Sequence, residues 1–535
     1  MASKSIPEAS NLGVDVGAPP ADLAGAVVSG VRWKTMSRGV SILTRVLVLV
    51  ILARLLTPTD YGIAGMAIVV TSFALIFTDP ALSAALIQRP TIDERDRSSV
   101  FWLSAAIGAV LTLACMAASG LVADFFGEEQ VQELVMVTSL CLVVAALSVT
   151  QRALLARELA YRKLEIREMV SIVSGGIVGV AAAIAGAGPW AIVLNFVAYV
   201  LVSTVLVWLL VDWRPHMLFS LDSVRNLWGF SARIFSASLL TWGNQNVDKA
   251  LVGRFLGAAS LGAYSLAYAA MLLPNQLLGR PLYQAVSPAY ARIQSDSERL
   301  ERAWLRSKRL SVAVVAPALL GLIVLAPDVV PVVFGNQWDE AIVPLQLLCV
   351  GALANSLIAL NWSVLQARGE ASSVLRLAFL SSAVTFAALI CGLYWGIVGV
   401  AAFYAGARWF VVLPSTWITT RGVSFAFWPA VRAGGEMLPV AIVAAAVGFV
   451  TRIALLELDV PQAIRLIIVA AVVFVIYAVI VSVTAPAVIQ EVRRVVPIPS
   501  RVPLLGGRPD PQPASGSPGN RGYDEASQPL GRGKE

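Results

Sequence analysis

Long apolar stretches recur along this chain with only short polar breaks between them. A stretch of about 20 mostly apolar residues is what it takes to cross a bilayer as a helix. Fourteen candidates can be marked: 36–56, 61–87, 99–123, 131–150, 167–186, 189–211, 231–256, 261–288, 310–334, 342–366, 374–394, 396–419, 437–456 and 464–486. Backbone amides have no water to bond in hydrocarbon, so a chain of this kind resolves into helices. Only 14% of its 535 residues are charged, against about 25% in soluble domains. The expectation is an all-α polytopic membrane protein with the lipid bilayer as solvent.

The loop charges test the count. With fourteen spans both termini fall on one side. That side holds 32 of the 40 Lys and Arg residues, including six at 292–309 and seven in the C-terminal tail. The other side holds Arg54, Arg254, Arg452 and Arg465, beside acidic loops such as "DFFGEEQ" and "NQWDE". The positive-inside rule then puts both termini in the cytoplasm. The segments near 151–167, 212–230 and 289–309 read as basic amphipathic helices lying on the membrane surface. The net charge of +7 thus describes topology and contact with anionic lipid, and gives no support to nucleic-acid binding. Residues 23–31, "LAGAVVSGV", do not read as a signal peptide, and 508–535 reads as a disordered tail. Cys115, Cys141, Cys349 and Cys391 fall in apolar runs, where cysteine acts as a small hydrophobe. The single histidine, His216, reads as a surface residue.

An internal repeat refines the layout. "LARLLTPTDYGIAGMAIVV" (52–70) matches "VGRFLGAASLGAYSLAYAA" (252–270) at an offset of 200, aligning Arg54 with Arg254 and Gly62 with Gly262. "ALLAREL" (153–159) matches "SVLQARGE" (363–370). Each match follows an equivalent span, so the repeat is six spans in parallel orientation. The expected domains are a tail (1–31), a first lobe (32–225), a second lobe (226–420), an extra span pair (421–490) and a disordered cytoplasmic tail (491–535). Two lobes around a central space suit alternating access.

Over 32–485 the chain resembles the multidrug/oligosaccharidyl-lipid/polysaccharide exporter superfamily. Within it, "LARLLTPTDYG", "DPALSAALIQRP" and "NVDKALVGRFLGAASLGAYSLAYAAMLLP", followed by "VSPAYARIQ", look like the polysaccharide-transport, Wzx-type flippases. The resemblance implies movement of undecaprenyl-pyrophosphate-linked oligosaccharide repeat units across the inner membrane of a bacterium. No bond is made or broken, no cofactor is bound, and coupling to a proton or sodium gradient is common. The resemblance leaves open whether the chain works alone or beside a polysaccharide polymerase complex. A small-molecule or drug exporter on the same scaffold is the alternative; a membrane polymerase is a further one, disfavoured by the short outer loops.

A pyrophosphate crossing the membrane needs a cationic, hydrated cavity. Charge deep in a span is costly and faces a cavity or bundle interior. Arg45, Lys249, Arg280 and Arg408 are the basic residues deep in spans, with Gln245 at the repeat position of Arg45 and one turn before Lys249; these five are the candidate substrate-binding residues. Asp79 and Asp248 are the candidate ion-coupling acids. Each has a structural alternative: Asp79, before Pro80, suits a helix N-cap, and Arg408 in "GARWF" suits aromatic packing.

Overall fold

The computed structural model describes residues 23–78, 83, 86–88, 92–421 and 425–484, with side chains excepted at 23–36, 223–224 and 226–234. Asp79 and the C-terminal tail lie outside the described residues. The elements, in order, are α1 (Leu23–Leu55), α2 (Pro58–Leu75), α3 (Glu94–Phe126), α4 (Gln130–Ala146), α5 (Val149–Arg157), α6 (Tyr161–Ile184), α7 (Trp190–Leu210), α8 (Leu221–Pro274), α9 (Arg280–Arg292), α10 (Ser297–Val329), α11 (Ile342–Ala367), α12 (Ala371–Gly392), α13 (Gly396–Thr420), α14 (Phe427–Gly435), α15 (Leu438–Glu457) and α16 (Gln462–Thr484). Among the described residues no strand occurs, so the all-α expectation holds.

Ten helical stretches of the described residues are long and apolar enough to cross a membrane, eleven if the bent pair α4 and α5 forms one span. Two stretches, 235–292 and 371–420, are too long for single crossings, and both fold back. In the first, Tyr264 donates to the Asp248 carboxylate at 2.9 Å; in an unbroken helix those residues would stand about 24 Å apart. The reversal sits at Gly257, whose φ of 85° suits glycine above other residues. In the second, Leu393–Trp395 and Gly396 make the turn, and Arg408 reaches the Ser381 hydroxyl at 3.0 Å. This length criterion therefore counts fewer crossings than the fourteen read from the sequence.

Local chemistry sets several helix ends. Thr57 and Asp60 form a capping box with Pro58 at the first helical position of α2; Asp93 and Asp96 do the same for α3. Such boxes satisfy amide donors that a helix start leaves free. Inside α10, Pro317 and Pro327 cannot donate to the carbonyls four residues back. Both carbonyls find side chains instead: Tyr477 donates to Ala313 O at 2.6 Å, and Gln346 to Ile323 O at 2.9 Å. The prolines thereby create sockets that dock α16 and α11 onto α10.

The repeat mates meet face to face. A methyl added at Gly62 would overlap the backbone of Ala258, and one at Gly262 would overlap the backbone of Pro58. At the offset of 200, 58 corresponds to 258 and 62 to 262, so each glycine packs on the mate of the other's partner. Contacts of this form belong to two-fold symmetric interfaces. Beside it, carbonyls left over at the end of α1 are taken from across: Gln337 and Trp338 both donate to Ala53 O, at 2.9 and 2.8 Å. Arg54 returns the contact to Val333 O at 3.0 Å.

The basic segments expected to form separate surface helices differ from that reading. Residues 161–167, 221–230 and 297–309 are the first turns of α6, α8 and α10; apolar periodicity carries straight on from them, so nothing stops the helix. Residues 212–220 lack helix and strap the start of α3, where Glu94 accepts from Trp213 and contacts His216, each at 2.8 Å. His216 is thus a strap residue. Helix α1 begins at Leu23, inside the stretch read as a tail, and α14 is a short helix that the sequence pattern did not mark. The four cysteines are free, with Cys141 and Cys349 buried.

Candidate functional site

The site candidates fall into three groups. The largest gathers five helical segments around Asp248. Asp248 is 3% exposed; its carboxylate accepts from Tyr264 and, at 2.8 Å, from the backbone amide of Lys249. The Lys249 ammonium does not turn to that carboxylate. It lies over the Tyr268 ring, 5.1 Å from its centroid. Arg408, on α13, lies 5.0 Å over the Tyr404 ring and acts on Asp248 through space. Its Nη1 bonds Ser381 on α12, while its buried Nε has no hydrogen-bond partner among the described residues. Asn355 on α11 donates to Tyr404 at 3.2 Å. The sequence candidates Asp248, Lys249 and Arg408 therefore come together. Gln245, one turn before Lys249, is exposed.

Two cations against one carboxylate leave this cluster with an excess of positive charge. The cations rest on aromatic faces, which stabilise them by about 0.5–2 kcal/mol without consuming their hydrogen-bond donors. Such a group can accept an anion with little rearrangement. The tyrosines that build it were missed in the sequence, although "AYSLAY" sets Tyr264 and Tyr268 four apart on one helix face.

The second group joins α1, α6 and α7. Arg45 pairs with Glu168 at 3.3 Å, and Tyr199 donates to the same carboxylate at 3.0 Å. Arg167 binds its other oxygen at 3.0 Å. Arg45 remains 60% exposed and borders a cavity of about 440 Å³ with Tyr61, Asn195 and Tyr199. Glu168, at the start of span five, was not recognised as a partner, because "LEIREM" reads as a surface charge run.

Arg280 forms the third group. It is exposed where the π-helical turn Asn275–Gly279 leads into α9, within Coulombic reach of Arg38 on α1. Arg38 in turn donates to Gln284 at 2.8 Å, joining α1 to α9. Arg38 was not among the candidate residues read from the sequence.

A further acid was overlooked. Asp328, on α10, is fully buried and binds Arg452 at 2.5 Å and Arg465 at 2.8 Å. The sequence had put both arginines on outer loops. The structure folds them inward, tying α15 and α16 to α10.

A family model described as "Polysaccharide biosynthesis protein" matches residues 51–343. The chain is similar to the lipopolysaccharide biosynthesis protein WzxC of Escherichia coli (strain K12), 28% identical over 335 residues, covering 62% of this chain and 67% of that one. It is also similar to the teichuronic acid biosynthesis protein TuaB of Bacillus subtilis (strain 168), 26% identical over 351 residues, covering 64% and 72%. Among solved structures, the lipid II flippase MurJ in an inward closed conformation matches with a TM-score of 0.71 at 15% identity, covering 86% of this chain and 100% of that chain. At that identity the likeness establishes the fold alone, a helical multi-pass membrane fold.

Proposed function

Because this chain belongs to the polysaccharide biosynthesis protein family, we propose that it is a flippase for undecaprenyl-pyrophosphate-linked oligosaccharide repeat units. It acts in the bacterial cytoplasmic membrane and serves assembly of lipopolysaccharide, exopolysaccharide or capsule. The observation that carries this reading is the cluster in which Lys249 and Arg408 act through space on one carboxylate, Asp248, while their side chains rest on tyrosine rings. A pyrophosphate leaving water loses solvation that fixed cations must replace. The phenol groups and Asn355 supply the hydrogen bonds that sugars require. A cationic drug would meet repulsion there. MurJ, whose fold this chain shares, is a lipid II flippase, and WzxC is a lipopolysaccharide biosynthesis protein; both support the same reading.

In this proposal α1 is the first span and each hairpin counts as two, giving fourteen spans as two six-helix lobes and a C-terminal pair, with both termini cytoplasmic. The glycine contact and the Ala53 docking then seal the outer end. Arg280 and Arg38, at the cytoplasmic end, attract the pyrophosphate first; Arg45 and Gln245 line its path toward Lys249 and Arg408. Movement requires the outer seal to part and re-form, driven by a proton or sodium gradient acting through Asp248. Asp79 keeps its place as a second coupling candidate from sequence. The released repeat unit passes to a polymerase on the outer side.

The test is made in cells lacking the chromosomal copy. Lys249→Ala and Arg408→Gln should each leave lipid-linked repeats accumulated in the inner leaflet and surface polysaccharide reduced at least tenfold. Normal surface polysaccharide in both would refute the cationic path.

A further inference from the structure

Where the ends of α11 and α13 meet the start of α12, a cavity of about 490 Å³ opens, apart from the three groups above. Arg368, Arg376 and Arg421 line it, with Glu370 as the one carboxylate of the lining. Glu370 is already ion-paired to Arg368, which also donates to Thr419 O at 3.4 Å. Among the described residues the other two cations have no carboxylate partner. Arg376 bonds the Ser373 hydroxyl at 3.0 Å. Arg421 lies 3.8 Å over the Trp417 ring, and among the described residues its guanidinium makes no hydrogen bond.

Apolar stripes run inward from this cavity. Ser372 at its edge is followed at helical spacing by the exposed Leu375 and Phe379 on α12; Trp417 is preceded at the same spacing by the exposed Leu413 and Phe410 on α13. Residues three and four apart share a helix face. A cationic notch therefore sits at the head of two apolar tracks, with a half-exposed tryptophan at the boundary, where interfacial tryptophans gather.

The matching corner of the first lobe makes a useful control. There Arg157 donates to Leu86 O at 3.2 Å. Arg214 lies over the Trp208 ring and donates to the carbonyls of Trp208 and Val211 at 3.1 and 2.5 Å. The same arginine-on-tryptophan arrangement is satisfied by backbone in one lobe and left open in the other.

We propose that the notch at Arg376 and Arg421 binds the phosphate of an anionic phospholipid headgroup, with the acyl chains along the Leu375–Phe379 and Leu413–Phe410 tracks. Basic pockets between membrane helices recognise lipid headgroups in this way. The proposal rests on the fold and the pocket, independent of what the central path transports.

Native mass spectrometry of the purified full chain, titrated with phosphatidylglycerol or phosphatidylcholine, tests it. Phosphatidylglycerol should be retained about tenfold more tightly, and the Arg376→Gln/Arg421→Gln variant should lose that preference while keeping its lipid-free thermal midpoint. Inorganic phosphate at equal concentration should not displace the lipid. Equal retention of the two lipids, an unchanged preference in the double variant, or displacement by inorganic phosphate overturns the proposal. Should the double variant fail to fold, Arg421→Gln alone must lower the preference severalfold, and the wild-type comparison of the two lipids still decides.

Discussion

Two buried carboxylates in this molecule have similar company and different fates. Asp328 and Asp248 each lie near two cations inside the membrane-spanning bundle. Around Asp328 both oxygens are bonded directly by arginines, Arg452 and Arg465. Around Asp248 the bonds come from a tyrosine and a backbone amide, while Lys249 and Arg408 rest on aromatic rings with donors to spare. The first arrangement is closed and holds α15 and α16 to α10. The second retains binding capacity. Charge within a span thus marks a site only when its partners leave it unsaturated.

Removing charge at each place should separate stability from transport. The largest effect falls on the closed cluster. Asp328→Asn leaves the buried Arg465 and the largely buried Arg452 unmatched and should cost about 3–5 kcal/mol of stability, read as a large drop in thermal midpoint and in the folded yield. If the midpoint stays put, the cluster is not a structural lock. Arg408→Gln at the open cluster should preserve the midpoint to within a few degrees and abolish export of lipid-linked repeats, so a loss of folded protein as large as that of Asp328→Asn would erase the contrast.

Gly62→Val probes the outer seal. Its side chain would strike the backbone of Ala258, so cross-linking of cysteines introduced across the seal should fall severalfold relative to the native pairing. Undiminished cross-linking would mean that the contact gives way freely. Arg45→Ala should act more weakly than Arg408→Gln, because an exposed pair such as Arg45–Glu168 contributes about 0–1 kcal/mol to stability; a severalfold slower transport with unchanged folding is expected. Gln245→Ala, at an exposed position, should have the smallest effect, within about twofold.

Much of this was legible in the sequence because the bilayer reads out hydropathy directly. The apolar stretches gave the helices, and the offset of 200 matched Gly62 with Gly262, which the structure packs reciprocally on Ala258 and Pro58. Asp248, Lys249 and Arg408 stood out because charge is rare among apolar neighbours. What stayed hidden depends on partners far apart in the chain. Asp328 was passed over beside Pro327, and Arg452 and Arg465 read as loop residues, since nothing local tells that three distant helices converge. Glu168 was masked by the charged run before it. Tyr264, Tyr268 and Tyr404 look like ordinary interior aromatics until a cation is found over two of the rings.

The most direct test uses the purified chain in sealed vesicles, with a fluorescent undecaprenyl-pyrophosphate oligosaccharide in one leaflet and a quencher outside. The wild-type protein should move the unaltered lipid between leaflets, and Lys249→Ala/Arg408→Gln should reduce that rate to the protein-free level at an unchanged thermal midpoint. Wild-type rates in the double variant would contradict the central claim that the open cationic cluster carries the pyrophosphate.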